Sequence, residues 1–234
     1  MISYPKELDG TRSSFSFKNL VDAFLAIWES LVLTVRKPGA LKVVISAGAY
    51  GGFFKGTKDF LQPLIVALAL VVPLASEMAS QRREAILVGL GYMVIYLMTA
   101  YSSRRAGRLA KTFRSPERAM NWMLLLGLSV GIFIGFTRLL DWTIVPVILF
   151  MVIYLVQNMR RPIGVSVVSD RVPDDILATV LSVESQVQSL IAAIVVLVIG
   201  AAADTAAGNV GVGILVASAV GLAALPVLWI RPQK

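Results

Sequence analysis

MVIYLVQNMRRPIGVSVVSDRVPDDILATVLSVESQVQSLIAAIVVLVIG, residues 151–200, is the stretch that decides how this chain folds. An apolar run leads into Arg160, Arg161 and Pro162, a short charged turn follows, and a second apolar run carries Glu184. Runs of this length are typical of helices that cross a bilayer, whose hydrocarbon core needs about 20 residues. Because polar groups inside such runs are costly in lipid, they are the first candidates for function.

The composition of the whole chain also indicates a membrane protein. Of its 234 residues, 57% are hydrophobic and 15% are charged, whereas a soluble domain carries about 25% charged residues. We predict helices rather than a transmembrane barrel, because the chain lacks short alternating segments. The chain contains no cysteine, which excludes disulfides and thiolate metal sites, and no histidine, which is the commonest metal ligand.

The chain shows no pattern typical of an enzyme. We find no metal-ligand cluster, no nucleophile with a neighbouring base and no phosphate-binding loop. We therefore predict that the protein is not an enzyme and has no cofactor and no metal. The polar N-terminus contains no charged-then-apolar leader, so no cleavable signal peptide is predicted.

The predicted fold is an all-α membrane protein with an additional amphipathic helix. In that helix apolar residues recur at spacings of three and four, with charged residues between them, so we expect it to lie along the membrane surface. The predicted segments are a polar tail at 1–15, the amphipathic helix at 16–38, a six-helix transmembrane domain at 41–230 and a cytoplasmic tail at 231–234.

Six spans are predicted within the transmembrane domain. The first is longer than a bilayer needs, so a kink is expected at Gly56 or Pro63. The fourth ends near Pro162 or continues past it toward Val168, and aspartates after Pro173 are expected to cap the fifth. The other predicted bounds are 85–101 for the second span, a basic loop at 102–118, 119–136 for the third, a fourth from 142, a fifth to 203 and a sixth at 208–230.

The distribution of Lys and Arg predicts the orientation of these spans. With six spans, seventeen Lys and Arg residues lie on one side and three on the other, and Lys55 and Lys58 fall inside the first span. Basic residues concentrate on the cytoplasmic side of membrane proteins. We therefore expect both termini in the cytoplasm, and the net charge of +8 needs no nucleic acid to explain it.

Small residues recur every four positions on two of the predicted spans. Such stripes let helices approach closely in lipid, so helix packing is the favoured interpretation, and a substrate passing close to the backbone is the alternative. The stripes are Gly127, Gly131 and Gly135 on the third span, and Gly213, Ala217 and Gly221 on the sixth.

Polar residues in the first span are candidates for a transport pathway. Lys55, Lys58, Asp59 and Gln62 lie at helical spacing, and Lys55 can pair with Asp59 four residues on. The alternative is that these residues lie near the outer boundary, where lysines reach into water.

Polar residues in the fourth and fifth spans are the second group of candidates. Gln157, Asn158 and Arg161 line the inner half of the fourth span if it continues through Gly164, and lie at its rim if it ends earlier. Glu184, with Asp59, is a candidate for carrying a coupled proton. Its alternative is a rim carboxylate bound to Arg160 or Arg161.

The order of these elements resembles the C-terminal half of major facilitator superfamily transporters. The segments RRP, VSDRVP, ATVLSVES and a small-rich helix ending in GAAAD resemble the last three helices of that family, and YGGFFKGTKDFLQP resembles its seventh. Arg105, Gly107 and Arg108 match part of a cytoplasmic loop motif of the family, although Ala100 and Arg104 depart from it. The amphipathic segment resembles the linker between the two halves.

The resemblance implies both a fold and a function. It implies six helices arranged as two inverted three-helix repeats, a gating role for Arg105, Gly107 and Arg108, and a chain that forms one half of a transporter. We expect it to move a small solute across the cytoplasmic membrane, with proton-coupled efflux as one mode, together with a second six-helix half or a second copy of itself. The alternative is a membrane protein without transport activity, either a truncated gene product or a scaffold that binds helices.

Overall fold

The computed structural model describes residues 38–71 and 80–232, and every regular element in these residues is a helix. The predicted all-α class is therefore confirmed for this part of the chain. The predicted polar tail, nearly all of the predicted amphipathic helix and the last two residues of the chain lie outside the described residues.

Eight α-helices and one 3-10 helix make up the described residues. Four of the helices, numbered α3 to α6 below, are long and apolar enough to cross a membrane, which is consistent with an integral membrane protein. The α-helices are α1 Pro38–Thr57, α2 Leu61–Val71, α3 Ser80–Thr112, α4 Pro116–Leu139, α5 Ile144–Ser169, α6 Asp174–Thr205, α7 Val210–Ala223 and α8 Leu225–Leu228, and the 3-10 helix is Lys58–Phe60.

The first predicted span is interrupted between the two residues expected to bend it. The 3-10 helix separates α1 from α2 and lies after Gly56 and before Pro63. At the end of α1 the Thr57 hydroxyl donates a hydrogen bond to the Phe53 carbonyl over 2.8 Å. Pro63 then falls in the first turn of α2, where its missing N–H leaves no intrahelical bond unmade.

The predicted basic loop at 102–118 is wrong, because most of it is helical. Helix α3 continues to Thr112, and the link to α4 is only three residues long, with Arg114 in the left-handed region at φ 63°. The arginines, lysine and alanines in this stretch are strong helix formers, and positive charge is favourable at a helix C-terminus. Hydropathy therefore falls at this point without ending the helix.

Helices α4 and α5 begin close to the predicted positions but extend further. Ser115 caps α4 by accepting a hydrogen bond from the Arg118 amide, and Pro116 occupies the first turn. Helix α5 continues through Pro162 to Ser169, so the longer of the two predicted fourth spans is confirmed.

The last two predicted spans need smaller corrections. Asp174 and Asp175 lie in the first turn of α6, where they favour the helix dipole, but no side chain caps this helix. The predicted sixth span is divided, because α7 ends at Ala223 and the short helix α8 follows with Pro226 in its first turn. Proline cannot donate the amide hydrogen bond that would continue α7.

Close helix packing explains the small-residue stripes. Helix α1 packs along α6, α3 along α5, and α4 along both α5 and α7. A Cβ atom added at Gly135 would lie 2.6 Å from the Gly211 carbonyl oxygen, and one added at Gly213 would overlap the Ile199 backbone. The packing interpretation is therefore confirmed for these glycines.

Buried polar groups tie the helices together at one end of the bundle. Arg171 donates hydrogen bonds to the Glu117 carboxylate over 2.8 Å and to the Gly39 carbonyl over 3.0 Å. The Asn121 side chain exchanges two hydrogen bonds with the Ile230 backbone. These contacts bring the starts of α1, α4 and α6 and the segment after α8 to the same end.

Candidate functional site

A polar groove of about 380 Å³ lies between α1, α3, α5 and α6. Tyr154, Gln157, Asn158 and Arg161 line it from α5, because spacings of three and four place them on one helical face. The other lining residues are Phe54 and Lys55 of α1, Lys58 of the 3-10 helix, Tyr96 of α3, and Ser185 and Gln188 of α6. We call this cavity the polar groove.

Five of the predicted pathway residues meet in the polar groove. They are separated by about a hundred positions along the chain and are brought together by the packing of α5 against α1. The five are Lys55, Lys58, Gln157, Asn158 and Arg161.

Two predicted pathway residues, Asp59 and Gln62, do not line the groove. Both are exposed. The predicted pair of Lys55 with Asp59 is wrong, because Asp59 pairs with Lys58 over 3.1 Å, and the Asp59 side chain is 81% exposed. The 3-10 helix changes the four-residue spacing on which the predicted pair depended.

The adjacent arginines of α5 have different environments. Arg161 is exposed and lines the polar groove. Arg160 is buried, and it donates hydrogen bonds to the Met120 carbonyl over 3.2 Å, to the Ser46 carbonyl and hydroxyl over 3.0 Å each, and to the Ala47 carbonyl over 3.5 Å. Successive residues of a helix point about 100° apart, which separates the two side chains.

Glu184 lies behind the polar groove and is connected to it through one side chain. Its carboxylate is buried and accepts a hydrogen bond of 2.9 Å from Gln188, which lines the groove. The Gln188 side chain packs against Gly51, and a Cβ atom added at Gly51 would lie 2.6 Å from the Gln188 Cδ atom. The ion pair expected in the alternative interpretation of Glu184 does not form, because neither Arg160 nor Arg161 lies within 4.0 Å of its carboxylate.

Aromatic side chains form one part of the groove that the sequence analysis missed, and Ser185 and Gln188 of α6 form the other. The rings of Phe54 and Tyr154 meet edge to face, with centroids 4.9 Å apart, and Tyr96 of α3 also lines the groove. The signal in the sequence was the spacing of Tyr154, Gln157 and Arg161, which marks a single face of α5.

The three residues predicted to form a gating loop lie on a helix instead. Arg105, Gly107 and Arg108 belong to the last turns of α3, and all three are exposed. The Arg105 guanidinium lies 4.3 Å from the centre of the Tyr101 ring, one turn earlier on the same helix. Gly107 borders a small cleft of about 160 Å³ that Pro162 of α5 also lines.

A second cavity, of about 510 Å³, lies at the opposite end of the bundle from the Arg171 contacts. Its lining is mostly apolar, and its single charged residue, Arg138, donates a hydrogen bond to the Trp142 carbonyl. No group of three potential metal-ligating side chains occurs in residues 38–71 and 80–232. The polar groove is therefore the better candidate for solute binding, since it combines cations, amides and aromatic rings.

Comparisons of the chain with protein-family models, curated proteins and solved structures gave no match.

Proposed function

We propose that this chain is the C-terminal half of a major facilitator type secondary transporter, which moves a small solute across the cytoplasmic membrane. The observation that carries the proposal is the convergence of Lys55, Gln157, Asn158 and Arg161 in one groove between four helices. Ionisable groups within membrane helices almost always face the bundle interior or a water-filled cavity, and they mark solute and ion pathways.

The pairing of helices supports an arrangement of six spans in two inverted repeats. We count α1 with α2 as the first span, α3 to α6 as the next four, and α7 with α8 as the sixth. An inverted repeat relates spans one, two and three to four, five and six. Under this relation the contact between spans one and five is equivalent to the contact between spans four and two. The contact between spans three and six is its own equivalent. All three are extensive contacts of this bundle, whereas the extensive packing of span three on span four has only a small counterpart between spans six and one.

The polar groove also supports a partner on its open side. Lys55 and Arg161 form no ion pair among the described residues. A charge facing lipid at the centre of a helix costs about 2.5–3.5 kcal/mol on the insertion scale. A second six-helix half, or a second copy of this chain, would enclose the groove in water and remove this cost.

Glu184 is the residue we propose for proton coupling. It is buried, lies one helical turn from the groove and shares a hydrogen bond with Gln188 of the groove lining. A proton on this carboxylate would change how Gln188 presents its amide to a solute. Proton-coupled efflux is the mode that we propose on this basis.

The proposal is tested in vesicles that contain a pH-sensitive dye. The full chain is reconstituted alone and with a candidate six-span partner, and a panel of small anionic, cationic and neutral solutes is added outside. We expect solute-dependent proton movement from the assembled form. Glu184→Gln should abolish proton movement while solute exchange continues, because glutamine keeps the shape of the side chain and cannot release a proton.

The same experiment separates transport from the alternative of a membrane protein without transport activity. Proton movement or solute exchange by either preparation would exclude that alternative. If no solute of the panel moves with the chain alone, with a second copy or with a partner, the transport proposal is wrong. Equal proton movement by wild type and Glu184→Gln would contradict only the role of Glu184.

A further inference from the structure

The charged residues that line the polar groove are all positive. Lys55, Lys58 and Arg161 contribute cations, and no carboxylate lines the groove among the described residues. Asp59 points into solvent beside Lys58, and Glu184 lies behind Gln188. Lys55 and Arg161 therefore have no protein counter-charge within ion-pair distance in the described part of the chain.

The arrangement of these cations suits a ligand with a charged end. Guanidinium and ammonium groups bind carboxylates and phosphates through short charge-assisted hydrogen bonds, and arginine can form two such bonds at once. Gln157, Asn158 and Gln188 offer amide groups between the cations. A cationic ligand would meet repulsion from three positive side chains, which disfavours it relative to an anion.

The aromatic residues of the groove suit a flat ligand body. Phe54 and Tyr154 form an edge-to-face pair, and Tyr96 is a third aromatic residue of the lining. Tyr154 and Arg161 are seven residues apart, which corresponds to about 10 Å along α5. A cavity of about 380 Å³ lies at the small end of the range for ligand sites. The groove can therefore hold one ring together with a charged substituent.

We infer that the polar groove binds a small organic anion with a planar body, whose carboxylate or phosphate group is held by Arg161 and Lys55. This inference rests on the proposed function only in making that anion the transported solute. The binding site itself follows from the charges and the shape of the groove.

The inference is tested with three probes of similar size and different charge. Benzoate, benzamide and benzylamine, the last of them protonated at neutral pH, share the ring and differ in the substituent. Their binding to the purified full chain in lipid nanodiscs is measured by isothermal titration calorimetry. We expect benzoate to bind at least about tenfold more tightly than either of the other two, because only benzoate gains the ionic contacts.

Matched variants locate the binding in the groove. Arg161→Gln and Lys55→Gln should each weaken benzoate binding about tenfold. Lys111→Gln, at an exposed position of α3 outside the groove, should leave it unchanged. Arg161→Lys keeps the charge and should lose less affinity than Arg161→Gln. Size-exclusion profiles identical to that of the wild type show that the variants are folded.

Three outcomes would overturn the inference: no benzoate binding at millimolar concentration, equal or tighter binding of benzamide or benzylamine, or unchanged benzoate binding by Arg161→Gln and Lys55→Gln. The result is distinguishable from the outcome for transport. Benzoate binding without solute movement would support the anion site and contradict the transport proposal. Movement of neutral or cationic solutes without preferential benzoate binding would support transport and contradict the anion site.

Discussion

Arg160 joins three helices through its buried guanidinium. It lies on α5 and donates hydrogen bonds to backbone carbonyls of α1 and α4, with the Tyr50 ring 5.1 Å away. No carboxylate forms an ion pair with it among the described residues. Helix carbonyls therefore solvate its charge. Only the planar, five-donor guanidinium of an arginine can donate to all of these carbonyls at once.

Replacing this fork should destabilise the fold even when the charge is kept. We predict that Arg160→Lys lowers the free energy of unfolding by about 2 kcal/mol or more, because a lysine cannot reach all three carbonyls. Arg161→Lys is the matched control, since Arg161 is exposed and donates no hydrogen bond to these carbonyls. Unfolding in detergent titrations measures both. Equal stability of the two variants would show that the Arg160 hydrogen bonds contribute little.

The choice between these two arginines marks the limit of sequence reasoning at this scale. Both residues precede Pro162 and belong to the same apolar helix, so composition does not distinguish them. Their positions relative to α1 and α4 decide which one is buried. Arg161 lines the polar groove together with other predicted pathway residues, whereas the structural role of Arg160 is visible only in the packed bundle.

At the scale of helices, α1 and α6 interlock through residues spaced four apart. Gly48, Gly52 and Gly56 of α1 face Val187, Ile191 and Val195 of α6. A Cβ atom added at Gly52 would lie 2.6 Å from the Ile191 Cβ atom and 2.8 Å from the Gln188 carbonyl oxygen. This contact holds the two helices that carry Lys55 and Gln188 into the groove.

A methyl group at Gly52 should therefore separate these helices. We predict that Gly52→Ala destabilises the fold by about 1–3 kcal/mol, the range for overpacking a core. Gly89→Ala is the control, because nothing lies within 4 Å of its added Cβ atom and alanine favours a helix more than glycine does. Thermal unfolding in detergent compares them. A Gly52→Ala variant as stable as Gly89→Ala would contradict the close packing of α1 and α6.

The end of α3 shows why helix boundaries were predicted less well than helix order. Hydropathy reports where lipid contact stops, whereas the helix continues for another eleven residues that are polar and favour helix formation. Arg105, Gly107 and Arg108 consequently lie on a rigid element near the start of α4, and their gating role remains a prediction.

A gating role and a solute-binding role for Arg108 give different kinetics. Arg108 is exposed and does not line the polar groove. If the chain acts in the proposed transport, we predict that Arg108→Ala lowers turnover about tenfold while the solute concentration at half-maximal rate changes little. Initial rates in vesicles measure both quantities. A large rise in the half-maximal concentration at normal turnover would instead indicate that Arg108 contacts the solute.

At the scale of the whole molecule, the all-α class, the order of the helices and half of the groove lining could be predicted from the sequence. The helix class and order follow from long apolar runs and from the spacing of basic residues, which are both visible in short stretches of sequence. The exposure of Asp59 and the burial of Arg160 depend on a 3-10 helix and on a contact between α1 and α5, which no local pattern encodes.

The orientation of the bundle is tested by labelling its two ends. Ser115 lies at the start of α4, near the Arg171 contacts, and Thr205 lies at the far end of α6. The chain contains no native cysteine, so labelling of a single introduced cysteine has no background from the protein itself. We predict that an impermeant thiol reagent outside intact cells labels Thr205→Cys and not Ser115→Cys, because the Ser115 end carries most of the basic residues. Labelling of both from outside would contradict the topology.

The central claim is that the polar groove is an aqueous pathway in the membrane, and the reactivity of a cysteine at Ser185 tests it most directly. Ser185 lines the groove, whereas Ile194, nine residues on, lies on the opposite side of α6. The thiolate is the nucleophile that reacts with thiol reagents, and it forms in water and not in lipid.

We predict that Ser185→Cys in membranes reacts with a charged thiol reagent at a rate within about tenfold of that of Ser115→Cys, and that Ile194→Cys does not react. If Ser185→Cys is as inert as Ile194→Cys, the groove faces lipid and is not a solute pathway.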